Sequence, residues 1–191
     1  MSETWSRFYA AAGEQPRETL LEALARFETE GREPRTAVDL GAGTGRDTAE
    51  LVRRGWRVVA VDADPEAATR LRGLGDGVEV LETRFEDADW PECELVNASF
   101  SLPFCAPEAF ERCWRRVRAR LGPGGRFCGH LFGVNDDWAG QADMNFHSRD
   151  EVERLLAGLE IESLDEIDED GSTALGETKH WHRFHIVARR P

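Results

Sequence analysis

Asp39-Leu40-Gly41-Ala42-Gly43-Thr44-Gly45 sets an acid and three alternating glycines at the end of a short apolar run, Ala37 to Leu40. Glycine tolerates positive φ and has no Cβ, so a turn of this kind brings bare backbone against a ligand. The phosphate-loop pattern G-x-x-x-x-G-K-S/T is absent, and so is the dinucleotide fingerprint G-x-G-x-x-G, because Arg46 stands where its third glycine would fall. An acid beside a glycine turn instead suits a ligand with a positive centre and an amino-acid ammonium. A second acid, Asp62, closes the apolar run Arg57 to Val61, 23 positions after Asp39. An acid about 20 residues on is where Rossmann-like folds hold ribose, since a carboxylate accepts from both hydroxyls of a vicinal diol.

S-adenosylmethionine carries both a sulfonium and an amino-acid ammonium. Asp39 to Gly45, with the strand ending in Asp62 behind it, resembles the first motifs of the class I S-adenosylmethionine-dependent methyltransferases. The resemblance runs from about Pro16 to Arg189 and implies S-adenosylmethionine as cofactor and S-adenosylhomocysteine as product. It also implies a cofactor site at Asp39, Gly41, Ala42, Gly43, Gly45, Asp62 and Ala63. Asn97 at the end of the fourth strand joins that set, toward the amino-acid part of the cofactor. Where the family often has an acid for the adenine amine, this chain has Arg84. Phe85 is then placed to pack on the ring while Glu86 or a backbone carbonyl takes the amine. The alternative is that Glu86 and Asp87 form a solvated loop.

Ligands of open α/β sheets bind outside the carboxyl ends of the strands, so Ser99 and Phe100 are expected to border the acceptor. Asn-Pro-Pro-Tyr and Asp-Pro-Pro-Tyr motifs of enzymes methylating bases and glutamine are absent. Three aromatic groups can face the same edge: Trp5, Phe8 and Tyr9; Trp138, Phe146 and His147; and His180, Trp181, His182 and His185. Their faces could hold a sulfonium, or be ordinary packing. Trp5, Tyr9, Trp138 and Phe146 are assigned to acceptor binding. A soft nucleophile needs no base; a hydroxyl or amine would need one, with His147 or His130 the candidates. His180 and His182 share a strand face, but no third ligand has a recognisable spacing, so no metal is expected.

The elements must position these residues. Leu20, Leu21, Leu24 and Phe27 form the apolar stripe of a helix predicted over Pro16 to Glu30. Asp64-Pro65-Glu66 and Ser148-Arg149-Asp150-Glu151 read as helix starts. Gly122-Pro123-Gly124-Gly125 is read as ending a helix before a strand from Arg126 to Phe132, and Asp168-Glu169-Asp170-Gly171 as a turn between the last two strands, Ile161 to Ile167 and Phe184 to Ala188. Strands alternating with helices imply a Rossmann-like, doubly wound α/β sheet with helices on both faces. The resemblance implies seven strands, mostly parallel, the last antiparallel and inserted between the fifth and sixth. One domain is expected over 1–191, with residues 1–30 a lid and helix.

A net charge of −13 argues against nucleic acid and anionic membranes as partners. Arg112, Arg115, Arg116, Arg118 and Arg120 are spread by helical spacing around a solvated face. No apolar run of 18 residues is present, so no membrane span is expected, and Met1 to Arg7 lacks the apolar stretch expected of a signal peptide. Cys93, Cys105, Cys113 and Cys128 make no C-x-x-C pair, so reduced thiols in a cytoplasmic protein are expected. The resulting expectation is methyl transfer from S-adenosylmethionine to a small molecule by in-line displacement, in the branch that includes the tellurite-resistance and thiopurine methyltransferase-like enzymes. A cofactor-binding regulatory subunit of the same fold without its own catalysis is the alternative; a pocket plugged by Trp138 or Trp181 would favour it. A nicotinamide dehydrogenase is disfavoured by the missing glycine.

Overall fold

The computed structural model describes residue 11 and residues 13–191. Its elements run α1 (Glu18–Thr29), β1 (Thr36–Leu40), α2 (Arg46–Arg53), β2 (Arg57–Asp62), α3 (Pro65–Arg72), β3 (Val78–Glu82), β4 (Cys93–Ala98), a 3-10 turn (Leu102–Phe104), α4 (Pro107–Arg120), β5 (Leu121–Gly133), β6 (Phe146–His147), α5 (Arg149–Leu156), β7 (Glu160–Ser172) and β8 (Thr178–Arg189). The sheet order is β3-β2-β1-β4-β5-β8-β7, with β6 paired to β5 off this path. β1 to β5 are parallel, and β8 lies antiparallel between β5 and β7. This is the topology expected from the sequence, with the two-residue β6 as an addition.

The apolar pattern explains the layers. Leu20, Ala23, Leu24 and Phe27 of α1 bury one stripe with Leu51 and Leu71 against one face of the sheet. Phe110, Trp114 and Val117 of α4, with Val152 and Leu156 of α5, cover the other. Both helix-start signals hold. Asp64 accepts from the Glu66 N–H at 2.9 Å, and Ser148 and Glu151 form a capping box. The arginines of α4 are drawn into local contacts. Arg116 donates to the carbonyls of Glu86 and Ala88, Arg118 to that of Ala157, and Arg120 to Asp89.

Two boundaries differ from the sequence reading. Gly122 to Gly125 lie inside β5, where the pairing with β4 jumps from Cys93↔Leu121 to Leu95↔Arg126. The glycine run is a bulge within the strand. Asp168 to Gly171 is not a turn: β7 and β8 stay paired from Glu160↔Arg189 to Ser172↔Thr178. Charge pairing holds this long hairpin together. His180 bonds Asp168 and Asp170 at 2.6 and 2.7 Å, and Arg183 faces Glu169 at 3.6 Å. Beyond the Phe132↔Arg183 pair with β5, the hairpin carries Lys179 and Trp181 further, and the Trp181 ring comes to 6.5 Å from that of Phe100.

Candidate functional site

Strand order reverses at β1, which lies between β2 and β4. At this switch point the loop after β1 is pinned to the end of β2. The amides of Gly41 and Ala42 donate to the Val61 carbonyl at 2.8 and 3.1 Å, and Gly43 donates to Asp62 Oδ2 at 2.8 Å. Gly41 has φ +69, and a Cβ there would lie 2.5 Å from Ser101 Cβ. Only glycine fits that position.

Asp39 is buried at the base of the loop. Thr48 donates to its Oδ2 at 2.6 Å and Asn97 to its Oδ1 at 2.8 Å. The same Asn97 nitrogen reaches Asp47 Oδ2 at 3.0 Å, and the Arg17 amide reaches Asp47 Oδ1 at 2.9 Å. Burial first, then the neighbouring Asp47 charge, pushes the Asp39 carboxyl up to about 7. A cavity of about 640 Å³ opens above these groups, walled by Asp39, Asp47, the loop, Asp62, Phe85, Glu86, Ser99 and Phe100. Asp62 also accepts from the Asp64 amide at 2.8 Å, and burial raises its pKa. Glu86 is buried; its Oε1 accepts from Arg84 Nε at 2.5 Å, while its buried Oε2 has no partner. Ser101 Oγ is buried and unpartnered on the same wall. These orphaned atoms are acceptors and donors left for a ligand, since buried polar groups are ordinarily satisfied.

A second cavity, about 830 Å³, adjoins the first and shares Arg17, Arg46, Phe100 and Phe104 with it. Phe132, Trp138, Trp181, His130, His185 and Arg183 also line it. Phe100 is the partition. It sits at φ 55, a strained value for a residue with a Cβ. Its ring stacks on His130 at 3.9 Å and lies 4.5 Å beneath the Arg17 guanidinium. His130 is buried, edge-on to His185 at 4.5 Å, and its Nδ1 has no partner. Burial, then neighbouring His185 and arginine charges, holds the His130 pKa well below its ordinary value, so the ring is neutral.

The first cavity gathers Asp39, Gly41, Ala42, Gly43, Asp62, Ala63, Phe85, Glu86, Ser99 and Phe100 from the sequence-expected set. Two members stand behind it. Gly45 starts α2 at φ 81, packed toward Leu71 and Leu74, and Asn97 is fully buried beneath the acids. Phe100, His130 and Trp138 reach the second cavity, whereas Phe146 lies behind Phe132 at 6.3 Å. His147 is a correction: it lines neither cavity, because β6 ends there and the ring packs on Phe110 at 4.8 Å. Trp5 and Tyr9 lie outside the described residues.

Two of the aromatic rings meet a cation of the chain itself. Lys179 Nζ lies 3.8 Å from the Trp181 ring and 4.3 Å from that of Trp138, and its ion pair with Asp136 is buried. The chain supplies its own cation to these rings. His182 is held by Glu166 at 2.9 Å, and His180 by Asp168 and Asp170. Among the described residues no group of three or more His, Cys, Asp or Glu side chains could hold a metal ion. The sequence reading missed Arg17, Arg46, Asp47 and Arg183. Asp47 had a signal, as an acid in the first turn of the helix opened by the glycine loop; the arginines had none.

Residues 37–125 match the family model described as a methyltransferase domain. A probable cobalt-precorrin-6B C(15)-methyltransferase (decarboxylating) of Methanothermobacter thermautotrophicus is 35% identical over 98 residues, 47% of this chain and 48% of that protein. Ribosomal RNA small subunit methyltransferase A of Anaeromyxobacter dehalogenans is 40% identical over 92 residues, 48% of this chain and 31% of that protein. The chain spans about half the length, or less, of these curated relatives. Among solved structures, the 1,6-didemethyltoxoflavin-N1-methyltransferase of Burkholderia thailandensis superposes with TM-score 0.67 at 22% identity, over 98% of this chain and 81% of that one. TehB from Haemophilus influenzae superposes with TM-score 0.74 at 14% identity, over 89% and 62%. The fold is that of the class I S-adenosylmethionine-dependent methyltransferases. Among the described residues no helix is long and apolar enough to cross a membrane.

Proposed function

We propose that this protein binds S-adenosylmethionine in the 640 Å³ cavity and directs its methyl group to a small-molecule acceptor in the adjoining 830 Å³ cavity. The carrying observation is the junction itself: an acid-lined cavity and an aromatic-lined cavity meet at Phe100 and Phe104. Asp39 and Asp47 offer carboxylates to the cofactor's ammonium, and Arg17 offers a guanidinium to its carboxylate. Asp62 accepts from the ribose diol, with Phe85 against the adenine and Glu86 Oε2 toward its amine. Bound there, the cofactor supplies an electrophilic methyl group on a good leaving group.

The chain's own task is then alignment and exclusion of water, which can contribute on the order of 7–11 kcal/mol at the upper end. A thiolate or other soft nucleophile needs nothing more. For a hydroxyl or amine, neutral His130 is the ring near the junction with an unpartnered nitrogen, Nδ1, which accepts a proton in the tautomer protonated at Nε2. Trp138 and Trp181 line the second cavity without filling it, which favours an enzyme over a regulatory subunit. The relatives named as methyltransferases and the didemethyltoxoflavin complex with S-adenosylhomocysteine support the same reading. Residues 1–30 as lid and helix, a single domain and a cytoplasmic location belong to the proposal.

Titration calorimetry with S-adenosylhomocysteine tests it, with NAD as control. Micromolar binding that weakens by about 1.5–3 kcal/mol in Asp62→Ala is expected. NAD binding in place of S-adenosylhomocysteine would overturn it. Transfer of labelled methyl to thiols, selenite, tellurite and thiopurines then sorts the acceptor atom.

A further inference from the structure

The two cavities differ in the sign of their charges. In the first, Asp39, Asp47, Asp62 and Glu86 outnumber Arg17, Arg46 and Arg84. The second carries three guanidiniums, Arg17, Arg46 and Arg183, against the carboxylates of Glu18 and Glu177. Among the described residues neither Arg17 nor Arg46 forms a salt bridge. Arg46 donates only to the Gly13 carbonyl, at 3.0 Å, and Arg17 Nε is buried with no partner. Burial, then Arg46 and Arg183, disfavour the charge on Arg17, while Asp47 and Glu18 favour it. A chain with net charge −13 has abundant carboxylates, yet of the three only Arg183 has an ion pair among the described residues, with Glu169 at 3.6 Å. Gathering like charges in a partly desolvated place is costly unless an anion completes it.

We infer that the acceptor is a small planar aromatic compound bearing an anionic group, a carboxylate or comparable oxyanion, held by Arg183 and Arg46 across the cavity from Phe100. The inference rests on the cofactor reading above. The cofactor brings a single carboxylate, which the reading above gives to Arg17, whose backbone amide bonds Asp47. Arg46, which has no carboxylate partner among the described residues, and Arg183, whose pair with the exposed Glu169 is long at 3.6 Å, are then left for the acceptor. Planarity follows from the walls. The Phe132 and Trp181 rings each stand 5.6–6.5 Å from one another and from those of Phe100 and Trp138. Arg183 lies 5.5 Å from the Trp181 ring, a geometry that presents a flat guanidinium beside a flat wall. A planar carboxylate matches the guanidinium fork by two parallel hydrogen bonds.

The test is titration of the full chain, loaded with S-adenosylhomocysteine, with matched sets of small aromatics: benzoate, salicylate and nicotinate, each beside its amide and its corresponding amine. The expected result is that at least one acid binds, about tenfold or more tighter than its amide, and that the amine does not compete. In Arg183→Met the acid's affinity falls about tenfold while the affinity for S-adenosylhomocysteine stays unchanged, and Arg183→Lys recovers part of the loss. Amides or amines binding as well as the acids, or no member binding at all, would overturn the inference. So would a folded Arg183→Met protein that keeps the preference for acids. The first titration separates this from the cofactor reading. If S-adenosylhomocysteine itself does not bind, that reading fails, and the acid–amide comparison on the unloaded protein still decides the charge preference. Comparing acid with amide uses the unaltered chain, so it stands even if the Arg183 variants do not fold.

Discussion

One nitrogen of the Asn97 side-chain amide bonds Asp39 at 2.8 Å and Asp47 at 3.0 Å. It is the donor that lets two buried carboxylates stand side by side beneath the glycine loop. Its carbonyl oxygen accepts from Ser99 Oγ at 3.0 Å and lies 3.4 Å from the Cys128 thiol, so the amide cannot flip without facing acid with oxygen. Asn97→Ala removes this donor and leaves both acids less satisfied. The expected loss is about 1–3 kcal/mol, read as a lower denaturant midpoint at pH 8. Asn97→Asp, which adds a third acid, should lose more. A variant as stable as the parent at pH 8 would show that the amide does not hold the acids.

The pH dependence follows from Asp39. Its folded-state carboxyl is pushed up to about 7, chiefly by burial and then by Asp47. The folded chain therefore holds this proton more tightly than the unfolded chain. This group's contribution to stability is then greatest at low pH and falls as pH rises from the ordinary carboxylate range toward 7. A ligand that places an ammonium beside Asp39 favours the ionised form. Binding of S-adenosylhomocysteine at pH 6 should release protons, and affinity should rise from pH 5.5 to pH 8. Calorimetry at pH 6 in two buffers of different ionisation enthalpy reads this directly; equal heats in both would contradict it.

Gly41→Ala should impair the cofactor cavity more than the fold. The added methyl would meet Ser101 Cβ at 2.5 Å and force a Cβ-bearing residue to φ +69. Strain of this kind costs on the order of 1–3 kcal/mol, and Ser101 lines the cavity. S-adenosylhomocysteine affinity is expected to fall about tenfold or more. The double variant Gly41→Ala/Ser101→Gly, which relieves the contact but not the dihedral, should recover part of it.

Arg126 is the counterpart far from the site. It is fully buried, bonded to Glu162 at 2.7 and 2.8 Å and to Glu30, and lies 4.5 Å from the Phe27 ring. Arg126→Met breaks a clamp joining α1 to β5 and β7. Removing one partner of a buried charge cluster costs about 3–5 kcal/mol, discounted here because Glu30 is partly exposed. The midpoint of thermal unfolding should drop clearly. Below that midpoint, affinity for S-adenosylhomocysteine should match the parent, measured by calorimetry.

The sequence by itself determined the parts that depend on neighbours along the chain. Apolar runs ending in Asp39 and Asp62 are strands, the glycines between them must form a turn, and Asp64 and Ser148 start helices through bonds two or three residues away. Alternation of these elements is enough to dictate a parallel sheet, and with it the edge where ligands bind. The β7–β8 hairpin was misjudged because Asp168 to Gly171 has turn-forming residues, while His180 and Arg183, distant in sequence, hold it extended. His147 was placed in the site by its proximity to Trp138 along the chain, and lost it because β6 turns its ring toward Phe110. Only the tertiary structure could bring Arg17 of the α1 start, Arg46 of the α2 start and Arg183 of β8 to one cavity. No local propensity encodes that meeting, because the distance between those side chains is set by how the sheet twists and how far the hairpin extends.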